Sequence, residues 1–383
     1  MTAPFHDFYR HKTVLVTGHT GFKGSWLALW LTHLGANVVG YALEPPTEPC
    51  HFTASRLEKR LTDIRGDVRD YALLERTFQI YKPDIVFHLA AQALVRRSFA
   101  EPRRTFEVNL MGTVNVLEAA ARTESVRAVV SITSDKCYRN VDWEWGYREN
   151  DELGGHDAYS ASKACAELAI AVYQDGRFQR SANFRDDLCI ASTRAGNVIG
   201  GGDWAQDRIV PDTIKAIATK TDIVVRNPKA TRPWQHVLEP LSGYLWLGAL
   251  LAQNRARYCS AWNFGPGEGR VFTVGEVVQG LLGRWPDAVT KMVVCDDTSQ
   301  AESQLLRLDC SKASHHLKWR TTWGIDRTLD AIVSWYQQFY QGGGADMWLY
   351  SIQQIEAYSQ AARAQGLLWA LPSEPEMTAA VGR

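Results

Sequence analysis

The chain of 383 residues carries no excess charge of either sign, with 42 Lys and Arg against 42 Asp and Glu. A surface without net charge does not grip nucleic acid or anionic lipid as a whole, so any anion site has to be local. There is no uninterrupted apolar run of about 18 residues, the length of a membrane-spanning helix. The first residues, MTAPFHDFYRHK, lack the apolar core and small-residue cleavage site of a secretory leader, so a cytoplasmic protein is expected. The 7 cysteines are odd in number and widely spaced, without a CxxC pair or nearby histidine ligands. That pattern predicts buried free thiols and no metal. Internal repeats and low-complexity tracts are also missing, which excludes solenoids and disordered linkers.

What is present is an ordinary globular composition, 45% hydrophobic, in which short β-branched runs alternate with segments of helical period. TVLVT (13–17), NVVGYAL (37–43), IVFHLAA (85–91), AVVSIT (128–133) and residues 188–193 read as strands. Helices are expected near 25–34, from the RGDVRD turn (65–70) through Phe78, and over 103–121 and 159–173. The alternation predicts an α/β fold with a doubly wound parallel sheet. Beyond residue 195 the pattern becomes irregular until helices near 274–285 and 326–340, which suggests a smaller C-terminal lobe. The glycines at 342–344 and the tail after Ala361 look flexible.

Gly18, Gly21 and Gly24 form G-x-x-G-x-x-G between the first strand and its helix. Glycines there allow a tight turn and the close approach of a pyrophosphate, which rests on the positive end of the helix. His19 and Lys23 place cations in the same loop. The acid that reads the adenosine ribose at the end of the second strand is not obvious; Glu44 is nearest. No Arg or Lys lies between Asn37 and His51 to meet a 2′-phosphate, which favours NAD over NADP. Asp67, in the RGDVRD turn, either accepts from an adenine amino group or serves the turn alone.

Tyr159 and Lys163, in YSASK, are one helical turn apart on one face. A nearby ammonium and a nicotinamide cation favour a phenolate, which can take a proton from a substrate hydroxyl as hydride leaves the same carbon. With the glycine loop, this pair resembles the extended short-chain dehydrogenase/reductase superfamily, over roughly residues 12–340. The blocks TGHTGFKGSWLALWL (17–31), ITSDKCY (132–138), YSASKACAEL (159–168), RAGNVIGGGDWAQDRIVPD (194–212) and RPWQHVLEPLSGY (232–244) are similar to the CDP-glucose 4,6-dehydratase family.

The resemblance implies a Rossmann-type NAD-binding domain over 1–195, with a returning segment near 235–265. Residues 196–234 and 266–383 would form the nucleotide-sugar lobe. It also implies CDP-glucose as substrate, a lyase of deoxysugar biosynthesis, and a homodimer built on the helices at 103–121 and 159–173. Ser134 would bind the sugar C4 hydroxyl beside Tyr159. Asp135 and Lys136 stand where most sugar-nucleotide 4,6-dehydratases carry Asp-Glu, one group protonating the departing C6 hydroxyl and one acting at C5. Lys136 can serve as the C5 base only if burial or neighbouring cations lower its pKa; otherwise it stabilises enolate charge.

Phe22, Val68, Leu89, Ala90, Ala91 and Asn109 complete the expected cofactor contacts. Gln92, Asn197, Arg208, Arg232, His236 and Arg307 are candidates for the substrate, with Glu302 a weaker one; arginine suits phosphate through its planar fork. His88 reads as a core histidine. A nucleotide-sugar 4-epimerase would share Tyr159, Lys163 and NAD, but has no use for an acid-base pair after Ser134.

Overall fold

Seven short runs pair into one sheet in the computed structural model, which describes residues 4–181, 187–253, 256–267, 271–286, 288–295, 306–343 and 346–372. Glu302 lies outside them. The strands are β1 (Thr13–Thr17), β2 (Asn37–Ala42), β3 (Thr62–Arg65), β4 (Ile85–His88), β5 (Ala128–Ile132), β6 (Cys189–Ala195) and β7 (Ala261–Phe264). Their order is β7-β6-β5-β4-β1-β2-β3, and every pair is parallel. The chain winds one way from β1 to β3, then crosses back to β4, so the direction switches beside β1. Crevices at such a switch, beyond the strands' carboxyl ends, are where open α/β sheets bind ligands.

Alternation along each strand feeds two cores. Val14, Val16, Phe87 and Val130 face one side, Leu15, Val86 and Val129 the other. The longer helices are α1 (Phe22–His33), α2 (Tyr71–Tyr81), α3 (Gly112–Ala121), α4 (Ala158–Gln174), α5 (Ile209–Thr219), α6 (Leu238–Ala252), α7 (Val274–Arg284), α8 (Ile325–Gln341) and α9 (Trp348–Ala364). α2, α3 and α4 cover the Leu15 side; α1, α6, α8 and α9 supply the larger core on the Val14 side. α5 lies in the stretch that the sequence left irregular. Its proline, Pro211, sits in the first turn, where the missing N–H has no intrahelical partner to lose.

The late segment departs most from expectation. The tail after Ala361 is packed as far as it is described: Trp369 is buried, stacked on Phe5 at 5.1 Å and on Tyr358 at 5.7 Å. α9 lies chiefly against α1, with a smaller contact to α8. The cause is α1 itself, in which Trp26, Leu27, Leu29, Trp30 and Leu31 are all buried; a helix apolar all round needs cover on both faces. Gly200, Gly201 and Gly202 similarly serve packing, since a Cβ on them would strike Val237, Trp335 and His51.

Candidate active site

The glycine loop turns at the end of β1, and its three glycines have different reasons. Gly18 has φ +76°, and a Cβ on it would lie 2.7 Å from the Ala90 backbone. A Cβ on Gly24 would lie 2.0 Å from the Gly18 carbonyl oxygen. Gly21 has neither reason: its φ is −76°, and the nearest atom to a built Cβ is 3.4 Å away. It caps α1 without a side-chain bond, and no acid occupies the first turn. An open approach to unclaimed helix N–H groups fits a dinucleotide pyrophosphate. Leu89, Ala90 and Ala91 line the adjoining end of β4, where the Leu89 and Ala90 N–H groups bond to Thr17. Phe22 is part-buried at the start of α1, while Val68 is buried against Gly112.

His19 does not put a cation in this loop. Its ring is fully buried under Gly40 with Nε2 2.8 Å from Asp63, and burial lowers its pKa. Lys23, by contrast, points toward the chemistry. Burial, then the charges of Lys163 and Arg208, pull it down to about 8, while Asp135 opposes the shift. Glu44 is largely exposed, 3.7 Å from Arg65. Arg65 comes from β3, donates to the Leu43 carbonyl at 3.1 Å and pairs with Asp63 at 2.8 Å. A cation therefore does reach the end of β2, from the neighbouring strand, and two carboxylates already accompany it. The Asp67 carboxylate is held by Arg69, which lowers its pKa.

Asn109 and Gln92 spend their side chains on the scaffold. Asn109 sits in a π-helical turn, accepts from the Gln92 N–H at 2.8 Å and donates to Ser162 at 2.9 Å. Gln92 folds its own loop through Leu94 and Thr105, so its expected contact with substrate gives way to a structural one. His88 bonds Thr17 and Thr113, and burial takes its pKa down to about 3, as befits a core histidine.

At the end of β5 the chain turns through Ser134, Asp135 and Lys136. Ser134 caps this turn, and its hydroxyl acts on the Tyr159 phenol, favouring the phenolate. Asp135 is 3% exposed; one carboxylate oxygen bonds Ser134 at 3.0 Å, while Oδ2 has no partner and lies where a Cβ on Gly196 would be 2.6 Å from it. Burial raises its pKa above the usual carboxylate value, against the pull of Lys136 and Lys23. Lys136 itself is exposed, so the burial that would make it a base is absent.

α4 begins at Asp157, whose carboxylate caps the Ser160 N–H, and presents Tyr159 and Lys163 inward. Burial pushes Tyr159 up to about 12, partly offset by Ser134 and Arg208. Arg208, rather than the expected Lys163, is the cation that acts to favour its phenolate, and desolvation outweighs it. Lys163 is pulled down to about 8 by burial, with Glu167 opposing, and its Nζ lies 3.4 Å from the Ile132 carbonyl.

Of the substrate candidates, Arg208 comes closest to the chemistry. It pairs with buried Asp203 at 2.9 Å and its charge acts on Tyr159. Asn197 follows β6 next to Gly196, and Arg232 precedes Pro233, which also abuts Gly196. Arg307 lies where its carbonyl accepts from Tyr147 at 2.8 Å. His236 is excluded from a gripping role: fully buried between Trp26 and Trp323, it has a pKa lowered to about 3 by burial. The residues brought together are Lys23, Ser134, Asp135, Tyr159, Lys163 and Arg208. Gly196, which shapes the space beside Asp135, was missed; nothing in the sequence distinguishes it from other glycines after strands.

No helix among the described residues is long and apolar enough to cross a membrane. The GDP-mannose 4,6 dehydratase family matches residues 15–332. A CDP-glucose 4,6-dehydratase of Salmonella typhimurium is 45% identical over 355 residues, 93% of this chain and 98% of that protein. A dTDP-glucose 4,6-dehydratase of Xanthomonas campestris is 25% identical over 357 residues, 86% of this chain and 95% of that one. Among solved structures, the UDP-glucose 4-epimerase of Thermus thermophilus in complex with NAD has a TM-score of 0.71 at 24% identity, covering 85% of this chain and 99% of that one. The distant likenesses thus span epimerase and dehydratase and speak to the fold. The match across most of the sequence, and the Salmonella relative within it, place this chain in the GDP-mannose 4,6 dehydratase family, on the branch of the CDP-glucose 4,6-dehydratases.

Proposed function

We propose that the protein is an NAD-dependent hydro-lyase that converts CDP-glucose to CDP-4-keto-6-deoxyglucose and water. The observation that carries this reading is Asp135: a buried carboxyl, inclined by burial to keep its proton, with one oxygen unclaimed beside Ser134 and Tyr159. An epimerase has no task for such an acid.

Bound NAD supplies the hydride acceptor at C4 and the donor at C6, and its cationic ring favours the Tyr159 phenolate. Tyr159 removes the proton of the C4 hydroxyl, which Ser134 orients. The resulting C4 ketone acidifies the C5 hydrogen. The C5 proton leaves to solvent water, Asp135 gives its proton to the departing C6 oxygen, which leaves as water, and solvent then returns one proton to C5 and one to Asp135 while taking the one held by Tyr159. Lys136, on the same turn, sets its ammonium toward the enolate charge, since its exposure does not suit it to be the C5 base. Lys163 holds the end of β5 through Ile132 and keeps positive charge near Tyr159. Asn197, Arg208, Arg232 and Arg307 are assigned to the nucleotide sugar, with the arginines toward its diphosphate.

Incubation with CDP-, dTDP-, UDP- and GDP-glucose, followed by product mass, tests the reading. Loss of one water from CDP-glucose, without net NADH, is expected; an isomer of unchanged mass refutes it. The proposed setting is a cytoplasmic homodimer. Exposed Phe99, Met111, Leu168 and Val172, on or beside α3 and α4, form the apolar face it would bury. Light scattering of the wild type and of L168E/V172E checks the dimer.

A further inference from the structure

Behind the catalytic residues lies a buried ion pair to which the reaction itself assigns no role. Glu167 is one turn beyond Lys163 on α4, and Arg194 is near the end of β6; their side chains are 3% and 4% exposed and meet at 2.7 Å. The pair fastens three pieces of the site. Glu167 accepts from Thr133, the residue before Ser134, and from Ser192 at 2.7 Å. Arg194 donates to the Tyr138 hydroxyl at 2.7 Å and to the Glu149 carbonyl at 3.0 Å. Thr133 and Tyr138 bracket the turn that carries Ser134, Asp135 and Lys136. Arg194 is also two residues before Gly196, against which the Asp135 carboxylate rests.

A buried ion pair adds little stability over apolar residues of similar volume, because desolvation offsets the attraction. Its geometry, however, is directional, and each oxygen and nitrogen used here fixes a different element. We infer that Glu167 and Arg194 are positioning residues that lock the Asp135 turn to the Tyr159–Lys163 helix, so that C4 oxidation and loss of the C6 hydroxyl proceed in one alignment. The inference rests on the dehydratase reading and deepens it. Oxidation needs only Tyr159 and Ser134 in place, whereas elimination needs Asp135 aligned with the C6 hydroxyl as well. Loosening the lock therefore slows elimination more than oxidation. The Glu167 charge also favours the protonated form of Lys163, which gives the lock an electrostatic signature.

The test compares wild type, E167Q and the double variant E167Q/R194M, which leaves no unpaired charge, on CDP-glucose at several pH values. E167Q is expected to hold KM within about threefold, lose about tenfold or more in kcat, and accumulate a transient of NADH absorbance that wild type lacks. The alkaline limb of its kcat profile moves to lower pH. If E167Q does not fold by circular dichroism, the double variant carries the same expectations. A folded variant with wild-type kcat and no transient overturns the inference. So does a loss of kcat that only mirrors the folded fraction, with an unmoved pH profile. Wild type run alongside separates the two readings: if it releases no water, the dehydratase assignment fails first.

Discussion

Alanine at Gly21 and at Gly24 should have opposite effects, although the two glycines are one helical turn apart in one motif. At Gly24 the new Cβ would lie 2.0 Å from the Gly18 carbonyl oxygen and 2.7 Å from its carbon. Both are backbone atoms, so the loop has to retreat by over an ångström. Forcing a methyl into such packing costs roughly 1–3 kcal/mol, a loss of a few degrees in Tm for a chain of this size. At Gly21 the new Cβ meets nothing closer than 3.4 Å, and φ −76° is open to any residue. Alanine is a slightly poorer cap than glycine, but it narrows the unfolded ensemble; the two effects leave stability within about 1 kcal/mol of wild type. The methyl nonetheless stands where a pyrophosphate must approach the N–H groups of α1. A tenfold to hundredfold weaker Kd for NAD, about 1.4–2.8 kcal/mol, is expected for G21A. Thermal unfolding of NAD-free protein and calorimetric titration with NAD measure both quantities. A G21A variant that binds NAD like wild type, or a G24A variant as stable as wild type, refutes the division of labour.

Asp135→Asn should still form NADH on mixing with substrate but release product about 10²–10⁴-fold more slowly, the usual range for a lost general acid; unchanged turnover removes Asp135 from the mechanism. Tyr159→Phe should abolish even the NADH signal in stopped-flow absorbance, and a surviving transient would point to a different base. Lys163, lowered to about 8, should impose an alkaline decline on kcat/KM from that pH upward, because the free enzyme loses its ammonium there; a profile flat to pH ~10, the ordinary lysine range, would deny Lys163 an electrostatic role. Glu239, buried in α6, accepts from the Thr322 and Trp323 N–H groups and from Tyr358, yet burial raises it from 4.5 to about 7. The folded state holds that proton more tightly than the unfolded state does. Its stabilising contribution is thus complete below 4.5 and is lost as pH rises through about 7. The Tm gap between wild type and Glu239→Gln should change across that window, and a constant gap would sink the assignment.

The glycine loop and the Tyr159–Lys163 pair were legible because each depends on local spacing: a βα turn and one helical turn. Five of the seven strands were legible for the same reason, since buried parallel strands write themselves as short β-branched runs; TDIR of β3 and AWNF of β7 carry no such run. What escaped depends on what a side chain meets across the fold. His19 and His236 look like site histidines in sequence; Asp63 on β3 and two tryptophans from distant segments make them interior groups. Gln92 is drawn into its own loop by Thr105, which no spacing announces. Arg65 reaches the end of β2 from the adjacent strand, so a search confined to residues 37–51 does not find it. The exposure of Lys136 beside buried Asp135 follows from the turn that Ser134 caps, a detail below the resolution of pattern.

The sandwiching of α1 between the sheet and α9 also bears on how the protein is made. A helix beginning at residue 22 emerges from the ribosome about 330 residues before the helix that covers its outer face, which at typical rates of synthesis is a wait on the order of tens of seconds. During that interval Trp30, whose partners Tyr358 and Trp369 come last, has no permanent shelter, and the helix that carries the cofactor loop rests on an unfinished support. The nascent chain is therefore a natural client for chaperones that hold apolar segments. Replacing Trp369, which stacks on Phe5 and Tyr358, would harm that late closure and the yield of folded protein more than it harms the chemistry.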